Sequence, residues 1–207
     1  TGANKNESMK YKYKQQKKLL GSATYKMAKS GKYKYLSEIL HLAPFNIGGV
    51  NICPNASPIC ASVCLNTSGR GQQNSVQKSR LNKKYYFLSD RAKFLKQLDH
   101  EIKLSSARAK RKKLNYTIRL NGTSDLPFER YKLDNGKNLM DNNPDVQFID
   151  YTKVKNRFKQ KLPKNYSLTY SQAENNSNDV KELLKTKHNI AVVFRNKLPK
   201  KYKGRKV

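Results

Sequence analysis

Four short apolar runs punctuate the second half of the chain: residues 116–120 (YTIRL), 146–151 (VQFIDY), 166–170 (YSLTY) and 190–194 (IAVVF). Each is rich in β-branched or aromatic residues, and polar or helix-forming stretches separate them at roughly 20 to 30 residues from start to start. That rhythm predicts βα units and a parallel sheet. A further strand is expected within 47–52, in the apolar stretch that begins near Tyr35. Ser89 reads as the N-cap of a long helix on which Phe94, Leu95, Leu98 and Ile102 recur at helical spacing, ending in the basic run 107–113 (ARAKRKK). The segment DVKELLKTK opens on Asp179 with Glu182 three residues on, a capping-box pattern. The expectation is an α/β protein with a parallel sheet or partial (β/α) barrel of about five strands, flanked by basic flexible N- and C-terminal tails. The divisions are a basic arm at 1–35, the α/β domain at 36–196 and a basic tail at 197–207. Five strands are few for a closed barrel, which leaves open whether a partner chain completes the sheet.

Composition adds a partner. The 207 residues carry 44 Lys and Arg against 14 Asp and Glu, a formal charge of +30. Such an excess repels itself in a compact state, so a polyanion is the natural compensating partner, nucleic acid first (DNA ahead of RNA) and an anionic membrane or acidic protein after it. No apolar run nears the ~18 residues needed to span a bilayer, and no apolar signal segment follows the basic N-terminus. The expected setting is therefore inside the cell, with no membrane and no secretion. Met9 could serve as a start, which would make the eight residues before it foreign to the chain. Lys10, Lys12, Lys14, Lys17 and Lys18 in the arm, Arg108, Lys110, Arg111, Lys112 and Lys113 at the helix end, and Lys200, Lys201, Lys203 and Arg205 in the tail are the expected phosphate contacts. Tyr11, Tyr13, Tyr25, Tyr33 and Tyr35 among the lysines suit stacking on bases.

The chemistry sits elsewhere. The only three cysteines fall at Cys53, Cys60 and Cys64, a C-x6-C-x3-C cluster. Three thiolates this close suit a [4Fe–4S] cluster with one iron left open, a zinc ion completed by His41 or His100, or no ligand at all. The segment RLNGTSD follows the strand that starts at Tyr116. In parallel α/β folds the functional edge lies at the carboxyl ends of the strands. Arg119 and Asp125 there are catalytic candidates, and Asn121, Gly122, Ser124, Ser171 and Glu174 are candidates to contact a cofactor. No P-loop, nucleophile elbow or H-x-H motif is present. A metal-dependent nuclease would have to draw on Asp90, Asp125, Asp150 and Glu174.

The blocks NICPNASPICASVCLNTSGRG, IRLNGTSDLPFE, FIDYTKV and YSLTYSQAEN, in this order across residues 46 to 195, resemble the gene-product-88 family of phage and mobile-element proteins. The order of parts is also similar to a remote radical-SAM barrel, with C-x6-C-x3-C in place of that superfamily's C-x3-C-x2-C. The resemblance implies a [4Fe–4S] cluster on the three cysteines, S-adenosylmethionine beside Asn121, Gly122 and Asp125, and residence in the cytoplasm of a phage-infected bacterial cell. Joined to the charge, which predicts a nucleic-acid partner, it leads to a phage-type iron–sulfur protein that binds nucleic acid and is a candidate to act on it. A non-catalytic DNA- or RNA-binding protein with a structural zinc or cluster is the alternative.

Overall fold

A computed structural model describes residues 11–22 and 34–207. A six-stranded sheet runs in the order β1 (Leu20–Ser22), β2 (Tyr35–Leu40), β3 (Asn115–Arg119), β4 (Gln147–Thr152), β5 (Tyr166–Ser171) and β6 (Asn189–Ala191). β1 pairs antiparallel with β2, and every later pair is parallel. The strand order follows the chain without reversal, the winding of a barrel rather than of a doubly wound sheet. Among the described strands β6 pairs only with β5 and β1 only with β2, so the barrel does not close.

The parallel strands from 115 onward lie where their apolar runs predict. The first does not. Residues 45–52 form a turn, with Phe45, Gly48 and Gly49 at φ of 50°, 80° and 96°, values that break a strand. The strand expected there is β2 instead, hidden in the sequence by Ser37 and Glu38. Glu38 is buried, because Lys18 (3.2 Å), Arg108 (3.0 Å) and the Tyr116 hydroxyl (2.8 Å) converge on its carboxylate. Burial alone would raise its pKa. Hydrogen bonds from Ser105 and Tyr116, with the Lys18 charge, bring it below the usual value.

Helices α1 (Pro58–Ser62), α2 (Asn74–Ser89), α3 (Arg91–Arg111), α4 (Leu139–Asn142) and α5 (Ser177–Leu183) fill the connections. α3 buries Phe94, Leu95, Leu98 and Ile102 as its periodicity requires. Its N-cap is Asp90, whose carboxylate accepts from Lys93 N at 3.1 Å; Ser89 instead ends α2 and donates to Tyr11 O. The capping box at Asp179 does not form. α5 begins at Ser177 behind Asn176, which leaves Asp179 in the first turn to pair with Lys155 and accept from the Tyr170 hydroxyl.

Both expected tails have built parts. Leu19 and Leu20 are in the core, Tyr11 stacks on Tyr85 at 5.0 Å and Tyr13 on Tyr86 at 4.6 Å, so these two tyrosines are used inward rather than offered to bases. Lys10, Tyr25 and Tyr33 lie outside the described residues, and Tyr35 begins β2. At the other end β7 (Lys201–Tyr202) and β8 (Arg205–Lys206) form a hairpin, held by Tyr202 donating to Gln172 and by the Arg205 guanidinium donating to the Thr186 and His188 carbonyls.

The sheet is locked by one buried cation. Arg157, 1% exposed, donates to Glu129 through two nitrogens (3.0 and 2.7 Å), to Asp125 (2.8 Å) and to the Tyr166 oxygen (2.7 Å). Removing one partner of such a pair strands the others. Arg157→Met is expected to cost about 3–5 kcal/mol in denaturant unfolding; a loss below about 1 kcal/mol would show that the network contributes little to the fold.

Candidate functional site

At the carboxyl edge of β3, β4 and β5 the strand ends give way to loops that enclose a cleft of about 220 Å³. Its lining includes Cys53, Cys60, Cys64, Arg119, Asn121, Gly122, Ser124, Asp125, Tyr151, Lys153 and Ser171. Residues separated by more than a hundred positions meet here because each lies at the end of a strand or in a loop that leaves the same edge.

The cysteine wall is built first by the turn at 45–52 and then by α1. Ser57 caps α1, its oxygen accepting from Cys60 N at 3.2 Å, and its hydroxyl donates to Glu174 at 2.8 Å. Glu174 also accepts from Ile59 N, so both its oxygens clasp the cysteine loop, and it lies outside the lining of the cleft. Cys53 donates to Thr123 O at 3.6 Å, and Asn66 N donates to the sulfur of Cys64 at 3.5 Å. Burial pushes the Cys53 thiol up to about 11, with Asp125 and the other two cysteines adding to the effect.

The opposite wall is the turn after β3. Asn121 is buried and fully used: its backbone N donates to Asp150 (2.8 Å), its amide to Leu126 O and Asp150, and its oxygen accepts from the Ser124 hydroxyl and Leu126 N. Gly122 is a steric necessity, since a Cβ there would stand 2.5 Å from His41 Nδ1 and 2.6 Å from Ile39 Cγ2. Asp125 accepts from Arg157 and, at 2.9 Å, from Lys153 N. With both oxygens engaged it ties the loop after β3 to the end of β4.

The free polar groups are cationic. Arg119 lies 5.0 Å over the Tyr151 ring and donates to Asn121 O; Lys153 reaches Ser171 at 3.4 Å. Among the described residues neither forms an ion pair with a carboxylate. Lys153 was not among the candidate site residues, although the FIDYTKV block of the family resemblance contains it.

The donor set is three thiols on one electropositive cleft, which suits a group whose separate irons each take one thiolate. Zinc in a Cys3His site would need His41 or His100 as its fourth ligand. Among the described residues no three Cys, His, Asp or Glu side chains stand together closely enough to hold one metal ion. His100 is exposed on α3, and His41 Nδ1 is buried behind Gly122 without a hydrogen-bond partner. Burial and the nearby Arg80 and Arg119 hold His41 down to about 4, hence neutral. The four carboxylates a nuclease would need are each engaged: Asp90 caps α3, Asp125 pairs with Arg157, Asp150 is 2% exposed and accepts from Asn121, and Glu174 clasps the cysteine loop.

With the order of the cysteine, R-x-N-x-x-S-D and D-Y-T-K blocks now fixed around one cleft, the comparison with known families is decisive. The chain belongs to the Gene product 88 family. The family model matches residues 9–205 and so takes in every wall of the cleft. No curated protein and no solved structure matches the chain.

The expected phosphate contacts divide into two groups. Lys18 and Arg108 are committed to Glu38, Lys110 to Asp145, and Arg205 to backbone carbonyls. Lys12, Lys14, Lys17, Arg111, Lys112, Lys113, Lys200, Lys201 and Lys203 are exposed. Residues 111–113 precede β3 and therefore sit at the amino edge, roughly 16 Å of strand from the cleft.

Asp150 supplies a test of the site's electrostatics. Desolvation raises its carboxyl to about 6, against the opposing effect of the Asn121 N–H and the Arg119 and Arg157 charges. A carboxyl that holds its proton more tightly when folded lowers stability as pH rises from its ordinary value near ~4 toward that figure. Unfolding free energy measured across pH 4 to about 6 should show this decline in the wild type and a flatter profile in Asp150→Asn; parallel profiles would rule the assignment out.

Proposed function

We propose that this chain is a phage-type iron–sulfur protein that holds a [4Fe–4S] cluster on Cys53, Cys60 and Cys64, binds nucleic acid and acts on it. The observation that carries the reading is the meeting of all three cysteines with Arg119 and Lys153 on one cleft at the carboxyl edge of a parallel sheet. When bound, the cluster would supply one-electron chemistry that protein side chains lack.

The residues of the chain do the rest. Arg119 and Lys153, unpaired, would receive a carboxylate or phosphate, and the radical-SAM resemblance makes S-adenosylmethionine the first ligand to try. Arg119 is fixed by Tyr151 and by Asn121 O, which favours a defined approach for a bidentate anion. Ser171 offers a hydroxyl on the same cleft, while that of Ser124 is taken by Asn121 Oδ1. Asn121, Gly122 and Asp125 shape the turn, so their part is to position backbone rather than to touch reacting atoms. Val63 and Leu65, both exposed on the cysteine side, would be covered by whatever enters.

Nucleic acid would meet the exposed lysines. The run 111–113 stands at the edge away from the cleft, so its part is to anchor a backbone. The full engagement of Asp125 favours, as the second reading, a non-catalytic DNA- or RNA-binding protein whose metal group fixes a loop.

Purification without oxygen followed by iron and sulfide analysis should give both elements in the wild type and neither in Cys60→Ser or Cys64→Ser; a colourless wild type with one zinc would refute the cluster. Arg119→Gln or Lys153→Gln should weaken S-adenosylmethionine at least about tenfold in calorimetry while iron content stays. For nucleic acid, neutralising Arg111, Lys112 and Lys113 together should reduce the slope of log affinity against log salt by about 2 to 3. A slope already flat in the wild type would exclude phosphate-dominated binding.

A further inference from the structure

Helix α2 carries two cations into the interior and contains no acidic residue. Lys84 is 0% exposed, and its ammonium donates to the carbonyls of Phe45 (2.8 Å) and Ile47. One turn earlier Arg80 is 9% exposed, and its guanidinium donates to Asn66 Oδ1 at 2.8 Å. Among the described residues neither forms an ion pair. Arg157, by contrast, has two carboxylates, and the partly exposed Lys18 and Arg108 share Glu38; Lys83 on the same helix also lacks an ion pair, but it donates to Leu19 O and has the charge of Glu101 near it.

Carbonyl and amide dipoles satisfy the hydrogen bonds of these groups but leave two positive charges uncompensated. Buried charges persist when something pairs with them. Their placement indicates what that something is. Lys84 grips the turn that leads into Cys53, and the Phe45 backbone also hydrogen-bonds to Cys53. Arg80 grips Asn66, whose backbone N donates to the Cys64 sulfur. Each cation is therefore one residue removed from a different thiol. Burial lowers both, Lys84 to about 8, and what favours their charged forms is Cys64 for Arg80 and Cys53 for Lys84. No carboxylate has that role. With three thiolates the assembly on this wall carries a net negative charge, which grows when it takes up an electron.

Resting on the iron–sulfur reading above, we propose that Arg80 and Lys84 are the counter-charges of the anionic group held by Cys53, Cys60 and Cys64, and that they bias it toward its reduced state. Their effect is electrostatic and acts through about one residue of protein, where water does not screen it. A sequence pattern does not disclose this role, because lysines and arginines at helical spacing ordinarily mark a solvated face.

The test uses the full chain reconstituted without oxygen from ferrous iron and sulfide. In a potentiometric titration followed by electron paramagnetic resonance, Arg80→Gln and Lys84→Met should each lower the ratio of reduced to oxidised cluster, at the wild-type midpoint, by about tenfold. Arg80→Lys, which keeps the charge, should stay within about twofold. Melting of the metal-free and reconstituted proteins separates charge from packing: Arg80→Gln should destabilise the reconstituted form more than the metal-free one. An unchanged midpoint, or equal destabilisation of both forms, overturns the proposal while the cluster reading stands. A wild type that takes up no iron removes the cluster reading and this proposal with it. If Lys84→Met does not fold, the Arg80→Gln and Arg80→Lys pair decides alone.

Discussion

The site depends on a single buried guanidinium. Arg157 takes Glu129 from the loop after β3, Asp125 from the turn above it and Tyr166 from β5, and Tyr166 in turn donates to Asp150 on β4. The turn and loop after β3 and the segment after β4 are thereby tied to side chains of β4 and β5 beneath the cleft. Asp150 passes the constraint to Asn121, and Asn121 sets the turn whose next residue must be glycine to clear His41. A carboxylate placed in that chain of contacts is not free for chemistry, which explains why Asp125 lines the cleft and yet has both oxygens occupied.

Much of the positive charge falls into three populations by what each cation meets. Lys18, Arg108 and Arg157 pair with carboxylates and hold the sheet. Exposed lysines and arginines, including Arg111, Lys112 and Lys113, face water and are available to a polyanion. Arg119 and Lys153 in the cleft, with Arg80 and Lys84 behind the cysteine wall, belong to neither group. Their concentration around three thiols turns a general excess of charge into a local preference for an anionic occupant.

What the sequence disclosed follows from physical pattern. Strands β3 to β6 were legible because β-branched and aromatic residues in short runs have few other uses, and α3 because Phe94, Leu95, Leu98 and Ile102 keep helical spacing. β2 was concealed because its central inward residue is Glu38, whose partners come from three distant segments. α2 was concealed for the same reason, since Arg80 and Lys84 occupy its inward face where a periodic pattern needs apolar residues. The cysteine and R-x-N-x-x-S-D blocks were legible as one site because parallel topology sends all such loops to one edge. Lys153 lay within the FIDYTKV block without being singled out, because a lysine after a strand shows no role of its own until its neighbours are known. Tyr11 and Tyr13 read as base-stacking residues from their lysine-rich surroundings, yet their stacking partners are Tyr85 and Tyr86.

Three cysteines and no fourth protein thiol make a specific demand on any [4Fe–4S] cluster in this cleft: one iron of about four must differ from the rest. Mössbauer spectroscopy of iron-enriched protein, purified without oxygen, reads that inequality directly. The account predicts a minority iron site whose signal shifts when an anionic ligand such as S-adenosylmethionine is added and whose shift is lost in Arg119→Gln. A spectrum of equivalent irons, or of a single isolated iron, would contradict it.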